Sequence, residues 1–386
     1  MLRARQQSGA ATLLGAMVSL LIMTIVMFFI SNVTISDSVA SVAYVRAARS
    51  FNAAEAGVDA IIAQLNADKT NNPASMTYLC SSGYVKSSSG TACQNSSADA
   101  GNAYVVAATS LSDAALQYTA TLTRTNTNGP ITIASTGGFS GCLSSGCTRQ
   151  QVTTQIALAK FFPASPSDAI STTGPINLNG SGCVQNTSGT GYAIRAGSSV
   201  GSTNNLNGSS CTANNGNGTF GASDAFDANL GYMSSVAPAT MPDNSGNSYP
   251  YFQQMFGRTP NDVWAVKDGT SLPNDSDGTV TAGKIYWLTG AIDLQGGVYG
   301  TASSPVIIIV NGSLTMRGNT TINGLLFVWG ASDISGNVTV NGSIMDDGAF
   351  NKSTGNMTVI YDPNIVSNAS NIKGQFTKTA GSWKDF

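Results

Sequence analysis

The strongest hydrophobic pattern lies at the N-terminus of the chain. A short basic leader, Met1–Ser8, ends at Gly9, and the twenty-one residues 10–30 carry no charge. A membrane-spanning helix needs about 20 apolar residues, so this segment is long enough to cross a bilayer. Because the leader is basic and the next basic residue is Arg46, the positive-inside rule predicts a cytoplasmic N-terminus and an extracytoplasmic remainder.

The helical pattern continues beyond the apolar span. Residues 31–66 contain no proline, and their apolar residues recur near helical spacing, which predicts one buried face. That face comprises Val42, Val45, Phe51, Val58, Ile61, Ile62 and Leu65. A continuous helix over residues 10–66 would be about 85 Å long, half of it in the membrane and half packed on a globular head. The polar run from Asn66 to Pro73 predicts its end.

Alternation of apolar and polar residues with a period of two follows the helix. It predicts four strands, near residues 103–108, 115–125, 130–135 and 150–161. Asn128-Gly129, between the second and third of these, is a hairpin signal. For residues 67–162 we therefore predict an antiparallel sheet packed on the C-terminal half of the helix.

Beyond residue 162, short apolar runs alternate with Gly, Asn and Ser. Runs that are apolar on both sides, such as Val306–Val310, favour parallel strands. For residues 163–386 we predict a right-handed parallel β-solenoid with an irregular or helical insertion near 222–282. A β-sandwich is the alternative. The predicted fold class is thus α+β, with a long N-terminal helix, an antiparallel sheet and a solenoid.

Small-residue triplets punctuate the apolar runs of the last hundred residues. Asn311-Gly312-Ser313, Gly330-Ala331-Ser332 and Asn341-Gly342-Ser343 follow successive runs, at spacings of 18 and then 11 residues. They fit the corners of a solenoid, but the repeat they define is irregular.

Composition narrows the possible functions. Only 10% of the 386 residues are charged, and removal of Arg3 and Arg5 leaves 16 basic against 20 acidic residues, a net charge of about −4. This gives no basic footprint for nucleic acid. The chain has no histidine and no Cys-x-x-Cys pair, so we expect no cofactor and no zinc or redox site.

Six cysteines in an exported chain indicate disulfides. Their order suggests local pairs, although six cysteines allow fifteen arrangements. The suggested pairs are Cys80 with Cys93, Cys142 with Cys147, and Cys183 with Cys211.

The N-terminal pattern resembles the class III signal of type IV pilins and pseudopilins. The resemblance implies that a prepilin peptidase cuts after Gly9, which leaves Ala10 as a methylated N-terminus. The chain departs from the family at two positions, because the first mature residue is usually Phe and the fifth is usually Glu, which is Leu14 here. In the family that Glu neutralises the N-terminal amine of a neighbouring subunit.

Four further segments look like PilX-type pilus assembly proteins. They are Phe51–Gly57, Tyr251–Gly257, Ser304–Gly312 and Gly381–Phe386. The resemblance implies a minor pilin that primes assembly or carries a tip component, with a role in twitching motility or adhesion, and not an enzyme. The implied partners are major and minor pilins bound through the helix, the prepilin peptidase, the inner-membrane assembly platform and a tip adhesin.

The expected location follows from this resemblance. The precursor is a single-pass inner-membrane protein, and the mature chain lies in the extracellular pilus, at or near its tip because Leu14 replaces the usual Glu. A type II secretion pseudopilin and a tip-displayed, adhesin-like binding module are alternatives. A membrane-anchored carbohydrate-active solenoid is another, with Asp293, Asp333, Asp346, Asp347 and Arg317 as its candidate residues.

Two remaining features of the sequence are weaker. Glu55 lies in an Ala-rich helix and is a candidate contact for Arg46, Arg49 or a neighbouring subunit. The run Asn274–Gly278 hints at calcium, but it lacks EF-hand spacing, which favours an ordinary polar turn.

Overall fold

The computed structural model describes residues 4–71, 76–80, 84–87, 103–126, 129–143, 147–179, 181–188, 190, 192–199, 224–243 and 245–385. The chain forms two compact units. The helix-and-sheet unit comprises residues 1–157 and 376–386, and the solenoid unit comprises residues 158–375. The predicted α+β class, with a long helix, an antiparallel sheet and a parallel solenoid, is confirmed.

The helix-and-sheet unit begins with helix α1, Ala4–Asn71, which is unbroken over 68 residues and ends five residues later than predicted. Its strands are β1 (Ala103–Ser110), β2 (Leu116–Thr123), β3 (Ile131–Phe139), β4 (Arg149–Ala159), β18 (Gln375–Lys378) and β19 (Lys384–Asp385). Strands β1 to β4 form an antiparallel meander, and both C-terminal strands pair with β4. Asn128, of the predicted hairpin signal, lies outside the described residues.

Helix α1 packs on the sheet through a narrow stripe of small residues. The buried positions of the helix are Ser50, Ala53, Ala54, Gly57, Val58, Ile61 and Leu65. A Cβ at Gly137 of β3 would lie 2.2 Å from both the Ser50 carbonyl oxygen and the Ala54 amide nitrogen. A Cβ at Gly57 would lie 2.5 Å from the Tyr118 ring. Helix and sheet therefore meet at backbone distance, which requires glycine on both sides.

The predicted buried face was wrong at its N-terminal end. Val42 and Val45 are 49% and 47% exposed, because the helix reaches the sheet only from Ser50 onward. Phe51 and Ile62 are half-buried. The centre of the contact is formed by Ala and Gly, residues that a search for apolar periodicity passes over.

The C-terminal segment returns to this unit and holds the helix. Asn66 accepts a hydrogen bond from the Phe376 amide at 2.6 Å and donates one to the Phe376 carbonyl at 3.1 Å. Lys378 pairs with Asp59 at 2.8 Å, and the Trp383 ring contacts Phe51 edge-on at 5.6 Å. The solenoid is therefore an insertion between β4 and β18, whereas the sequence placed residues 376–386 with the solenoid.

The solenoid unit contains strands of three faces and four short helices. The strands are β5 (Ile170–Thr172), β6 (Ile176–Leu178), β7 (Ser181–Asn186), β8 (Ile194–Ala196), β9 (Asp224–Phe226), β10 (Ile285–Thr289), β11 (Ile292–Tyr299), β12 (Val306–Asn311), β13 (Leu314–Val328), β14 (Ser332–Ile334), β15 (Asn337–Asp346), β16 (Phe350–Lys352) and β17 (Asn356–Tyr361). The helices are α2 (Ala228–Gly231), α3 (Pro250–Phe256), α4 (Pro260–Val266) and α5 (Pro363–Ser370). All the printed strand pairs of this unit are parallel.

The corners of the solenoid explain the irregular triplets. Gly312 stacks beneath Gly330, and Gly330 beneath Gly348, so the repeat at this corner is 18 residues. Gly342 belongs to a different corner, where it stacks on Gly324. The spacing of 11 residues therefore joins two corners of the same turn, and 18 residues is the length of a turn here.

The strands do not stack in chain order. On the first face the order is β10, β12, the second half of β13, the second half of β15, β5, β8 and β9. The chain thus enters the stack in its middle at β5 and builds one end. It then crosses to the far end at β10 and builds back until β15 meets β5.

Helix α3 is part of the crossing segment and covers the first face with aromatic rings. Phe252 stacks on Trp329 with ring centroids 5.0 Å apart, and it contacts Trp287 at 6.1 Å and Phe327 at 5.0 Å. The Tyr251 hydroxyl donates to the Ser171 carbonyl at 2.8 Å. These contacts tie rows from both halves of the stack to one helix, which explains why the strands of this face are apolar on both sides.

The helix–sheet contact predicts that Gly137→Ala destabilises the helix-and-sheet unit. The new methyl group meets backbone atoms of α1 that cannot move aside, so we expect a loss of about 3 kcal/mol in the free energy of unfolding. Urea unfolding of the full chain in detergent measures it. Gly138→Ala is the matched control, because its nearest neighbour is the Cys142 carbonyl oxygen at 3.0 Å. Equal losses in the two variants would contradict the proposed contact.

The stacked corners predict a second difference between two glycines. At Gly290 a Cβ meets nothing within 4 Å, so Gly290→Ala adds only the strain of a positive φ of 92°, about 1–2 kcal/mol. At Gly324 the φ is 152° and a Cβ would lie 1.8 Å from the Val306 carbonyl oxygen. We expect Gly324→Ala to cost roughly 2 kcal/mol more, measured by urea unfolding followed through tryptophan fluorescence. Equal costs would show that the stacking is looser than described.

Candidate assembly interface

The N-terminal half of α1 is apolar and uncovered. Every residue from Thr12 to Arg46 is exposed, and each large apolar side chain between residues 13 and 30 exposes 49–71% of its surface. Its most apolar 18-residue window has a mean hydropathy of 2.7, and none of it is buried. Within the described chain this is one helix long and apolar enough, by length and composition, to cross a membrane.

The few polar side chains in this half of the helix are satisfied within it. The Thr24 hydroxyl donates to the carbonyl oxygens of Leu20 and Leu21, each at 2.9 Å, and the Thr34 hydroxyl donates to the Ile30 carbonyl at 2.8 Å. Hydroxyls that bond back to their own helix leave no donor facing outward. The surface is therefore suited to lipid or to other apolar helices.

The proposed processing site lies within this helix. The backbone is helical at Gly9 and Ala10, whose side chains are outside the description. Leu14, at the position where the pilin family usually has Glu, is 68% exposed, as is its neighbour Leu13. The interface thus presents leucine where the family presents a carboxylate.

The basic and acidic residues next to the apolar half are solvent-facing. Arg46 and Arg49 are exposed and Glu55 is half-buried. Among the described residues no ion pair links Glu55 to either arginine. The possible contact of Glu55 with a neighbouring subunit stays a prediction.

One predicted disulfide is confirmed, between Cys142 and Cys147 in the loop after β3. Cys80 and Cys183 are also disulfide-bonded. Their predicted partners, Cys93 and Cys211, lie outside the described residues.

The candidate catalytic residues fall into two groups on different faces. Asp293 and Arg317 form an exposed pair at 3.5 Å on the second face, where Asp333 lies two strands from Asp293. Asp346 and Asp347 are instead buried beside the first face. Burial raises the pKa of Asp347, against hydrogen bonds from Ser235 and Thr173. The structure therefore does not gather the five residues in one groove.

The run Asn274–Gly278 is a polar turn organised by a buried carboxylate. Asp275 accepts hydrogen bonds from the Thr281 amide and hydroxyl, each at 2.8 Å, and from the Gly278 amide at 2.9 Å. Burial raises the pKa of Asp275, but these hydrogen bonds outweigh it and the pKa is lowered. Both carboxylate oxygens point at donors of the chain itself, so the turn uses this carboxylate as a structural acceptor.

The four segments of the PilX-type resemblance occupy structural positions. Phe51–Gly57 lies on the contact face of α1, and Tyr251–Gly257 is α3 with its left-handed cap, Gly257, at a φ of 64°. Ser304–Gly312 contains β12, the most completely buried strand of the first face. The ending Gly381–Phe386 belongs to the returning segment.

Comparison with known proteins gives one likeness of low similarity. No protein-family model and no curated protein matches the chain. Among solved structures, the competence-associated pilin ComZ from Thermus thermophilus aligns over 88% of this chain and 97% of its own, with 12% identity and a TM-score of 0.31. A likeness at this level establishes neither a shared fold nor a shared function.

Proposed function

We propose that this chain is a minor pilin subunit of a type IV pilus, without catalysis. Its helix α1 anchors the precursor in the inner membrane and later packs in the filament core. The observation that carries the proposal is the division of α1 at Ser50, with a buried C-terminal part and an uncovered apolar N-terminal half.

Physical chemistry demands a cover for that half. Each large apolar side chain gains about 1.5–3 kcal/mol when it leaves water, and residues 13–30 carry many of them in sequence. A bilayer supplies the cover before assembly, and the helices of neighbouring pilins supply it afterwards. Cleavage after Gly9 removes the basic leader, which would otherwise hold the helix in the membrane.

The tip position rests on Leu14. In the pilin family the carboxylate at this position pairs with the amine of a neighbouring subunit inside an apolar core. An unpaired buried charge costs several kcal/mol. A subunit with Leu14 offers its own amine to one neighbour but cannot neutralise the amine of another, so it fits best at the end of a filament.

The solenoid is the part that the filament presents. It is inserted between β4 and β18, and the C-terminal segment then fastens to α1 through Asn66 and Asp59. A head fixed at two points of the pilin-like sheet is displayed by the helix without interrupting it. The separation of the carboxylates on the second face from the buried pair beside the first supports a presenting role over a catalytic one.

The proposed processing predicts a defined mature N-terminus. We expect the chain recovered from sheared surface filaments to begin at Ala10, as read by mass spectrometry of its N-terminal peptide. Gly9→Val should retain residues 1–9 and stay in the membrane fraction, because the peptidase requires glycine. Gly15→Val, which introduces the same side chain in the same helix where a Cβ meets nothing within 4 Å, should be processed normally.

Two outcomes would contradict this proposal. A wild-type chain that keeps residues 1–9, or begins beyond residue 30, would make the segment an ordinary anchor or a secretory signal. Normal processing accompanied by absence from sheared filaments would favour the secretion pseudopilin, which is not shed from the cell surface.

The tip assignment predicts a change of distribution on Leu14→Glu. We expect immunogold labelling of the wild-type chain at filament ends only, and of the Leu14→Glu variant also along the shaft, because the new carboxylate neutralises the amine of an adjacent subunit. Leu13→Glu is the matched control, since Leu13 has the same exposure but lies on a different side of the helix. Labelling of the wild-type chain along whole filaments would refute the tip position.

A further inference from the structure

The strand order of the solenoid creates one junction unlike the others. Residues 342–361 of β15, β16 and β17 stack on residues 170–186 of β5, β6 and β7, about half the chain away. We call this junction the seam. Elsewhere in the stack, consecutive rows are joined through a short corner, whereas the two sides of the seam are joined only through the crossing segment.

Buried polar groups of the solenoid unit concentrate at the seam. Among the described residues of this unit, the buried charged side chains are Asp168, Asp275, Asp346, Asp347 and Lys352, and all except Asp275 flank the seam. By contrast, β12 and the facing part of β13 meet through Val, Ile, Leu and Phe alone.

Side-chain hydrogen bonds close the seam. Thr172 donates to the Gly348 carbonyl at 2.7 Å, and Ser343 donates to the Asp168 carbonyl at 2.7 Å. Further bonds across it are those of Thr173 to Asp347, Asn177 to Asn351, Lys352 to the Asn179 carbonyl, Thr187 to the Tyr361 carbonyl and Tyr361 to the Pro166 carbonyl. Polar bonds of this kind are weaker in water than apolar packing is, so the seam is the junction at which the stack separates at the lowest cost.

Two adjacent carboxyl groups lie at the end of β15 in this seam. Asp346 is fully buried, and its Oδ1 accepts the Gly348 amide at 2.8 Å while its Oδ2 makes no well-formed hydrogen bond within the described residues. Asp347 accepts from Thr173 at 2.9 Å and from the Ser235 hydroxyl at 2.8 Å. Asp347 is therefore held as an acceptor, and Asp346 beside it lacks the donors that a charge requires.

No cation offsets a charge on Asp346. The groups that face the pair are Tyr251 of α3, whose pKa burial raises, and Arg195 of β8. Arg195 is engaged by Asp168 at 2.8 Å and by Asp227 at 3.7 Å. Lys352 lies on the second face, with its ammonium on the Asn179 carbonyl.

We propose that the seam is where the solenoid opens, and that loss of the proton from Asp346 beside Asp347 loosens it. The opened seam presents two complementary strand edges, residues 170–186 and 342–361. This inference does not depend on the pilin role of the chain, because it concerns the solenoid unit alone.

The direction of the pH effect follows from the buried state of Asp346. Burial raises its pKa from 3.8 to about 7, opposed by Ser332 and the Gly348 amide and reinforced by Asp347. Between these two values the closed seam holds a proton that the open seam releases, so closing is favoured at low pH and weakens as pH rises. The opening constant then grows roughly 50-fold between about pH 5 and pH 7 and levels off above.

Hydrogen exchange of the full chain in detergent micelles tests the proposal. Protection factors, corrected for the intrinsic pH dependence of exchange, are compared between seam peptides covering 170–178 and 342–361 and reference peptides covering 306–311. We expect seam protection to fall roughly 50-fold from about pH 5 to pH 7 while reference protection changes little. Asp346→Asn, which is uncharged at every pH, should abolish the fall, and Asp293→Asn on the exposed second face should preserve it.

Three results would overturn the proposal. They are seam protection that does not depend on pH, an equal loss in seam and reference peptides, and an unchanged fall in the Asp346→Asn variant. The wild-type pH series decides the question by itself if Asp346→Asn does not fold.

Discussion

The close contact between α1 and the sheet is the constraint on which the arrangement of the helix depends. At Gly57 and Gly137 the two backbones approach within a distance that leaves no room for a side chain. This contact fixes residues 50–65 on the sheet, and the same rigid helix then carries residues 12–46 out of it. A straight helix of 68 residues, about 100 Å long, cannot fold back to bury its own apolar half, so that half must find its cover elsewhere.

The solenoid is governed by a different constraint, the spacing of stacked strands. Parallel strands lie about 4.8 Å apart, and at each corner the carbonyl oxygen of one turn occupies the space that a Cβ of the next would fill, as at Gly342 over Gly324. Rows such as Ile309 over Trp287 and Phe327 over Ile309 align apolar side chains. The stack is uniform in this respect except at the seam, where Thr172 meets Asp346. Entry of the chain at mid-stack is what makes that exception necessary.

The sequence revealed much of this through periodicity. The span at residues 10–30, the four strands of the sheet and the parallel character of β12 all follow from patterns within a few residues of each other. The helix–sheet stripe escaped, because Ala53, Ala54 and Gly57 have little hydrophobic signal and matter through their small size. The 18-residue turn escaped too, since triplets from two corners were read as one series.

The candidate interface divides along the same line. The sequence by itself determined the apolar helix, the junction at Gly9 and Ala10, and the presence of Leu14, because these depend on composition over one continuous segment. Only the tertiary structure decided that Val42 and Val45 are uncovered, that residues 376–386 return to α1, and that Asp346 and Asp347 are buried at a seam. These facts depend on which distant residues meet, and neighbours in sequence carry no record of a partner half the chain away.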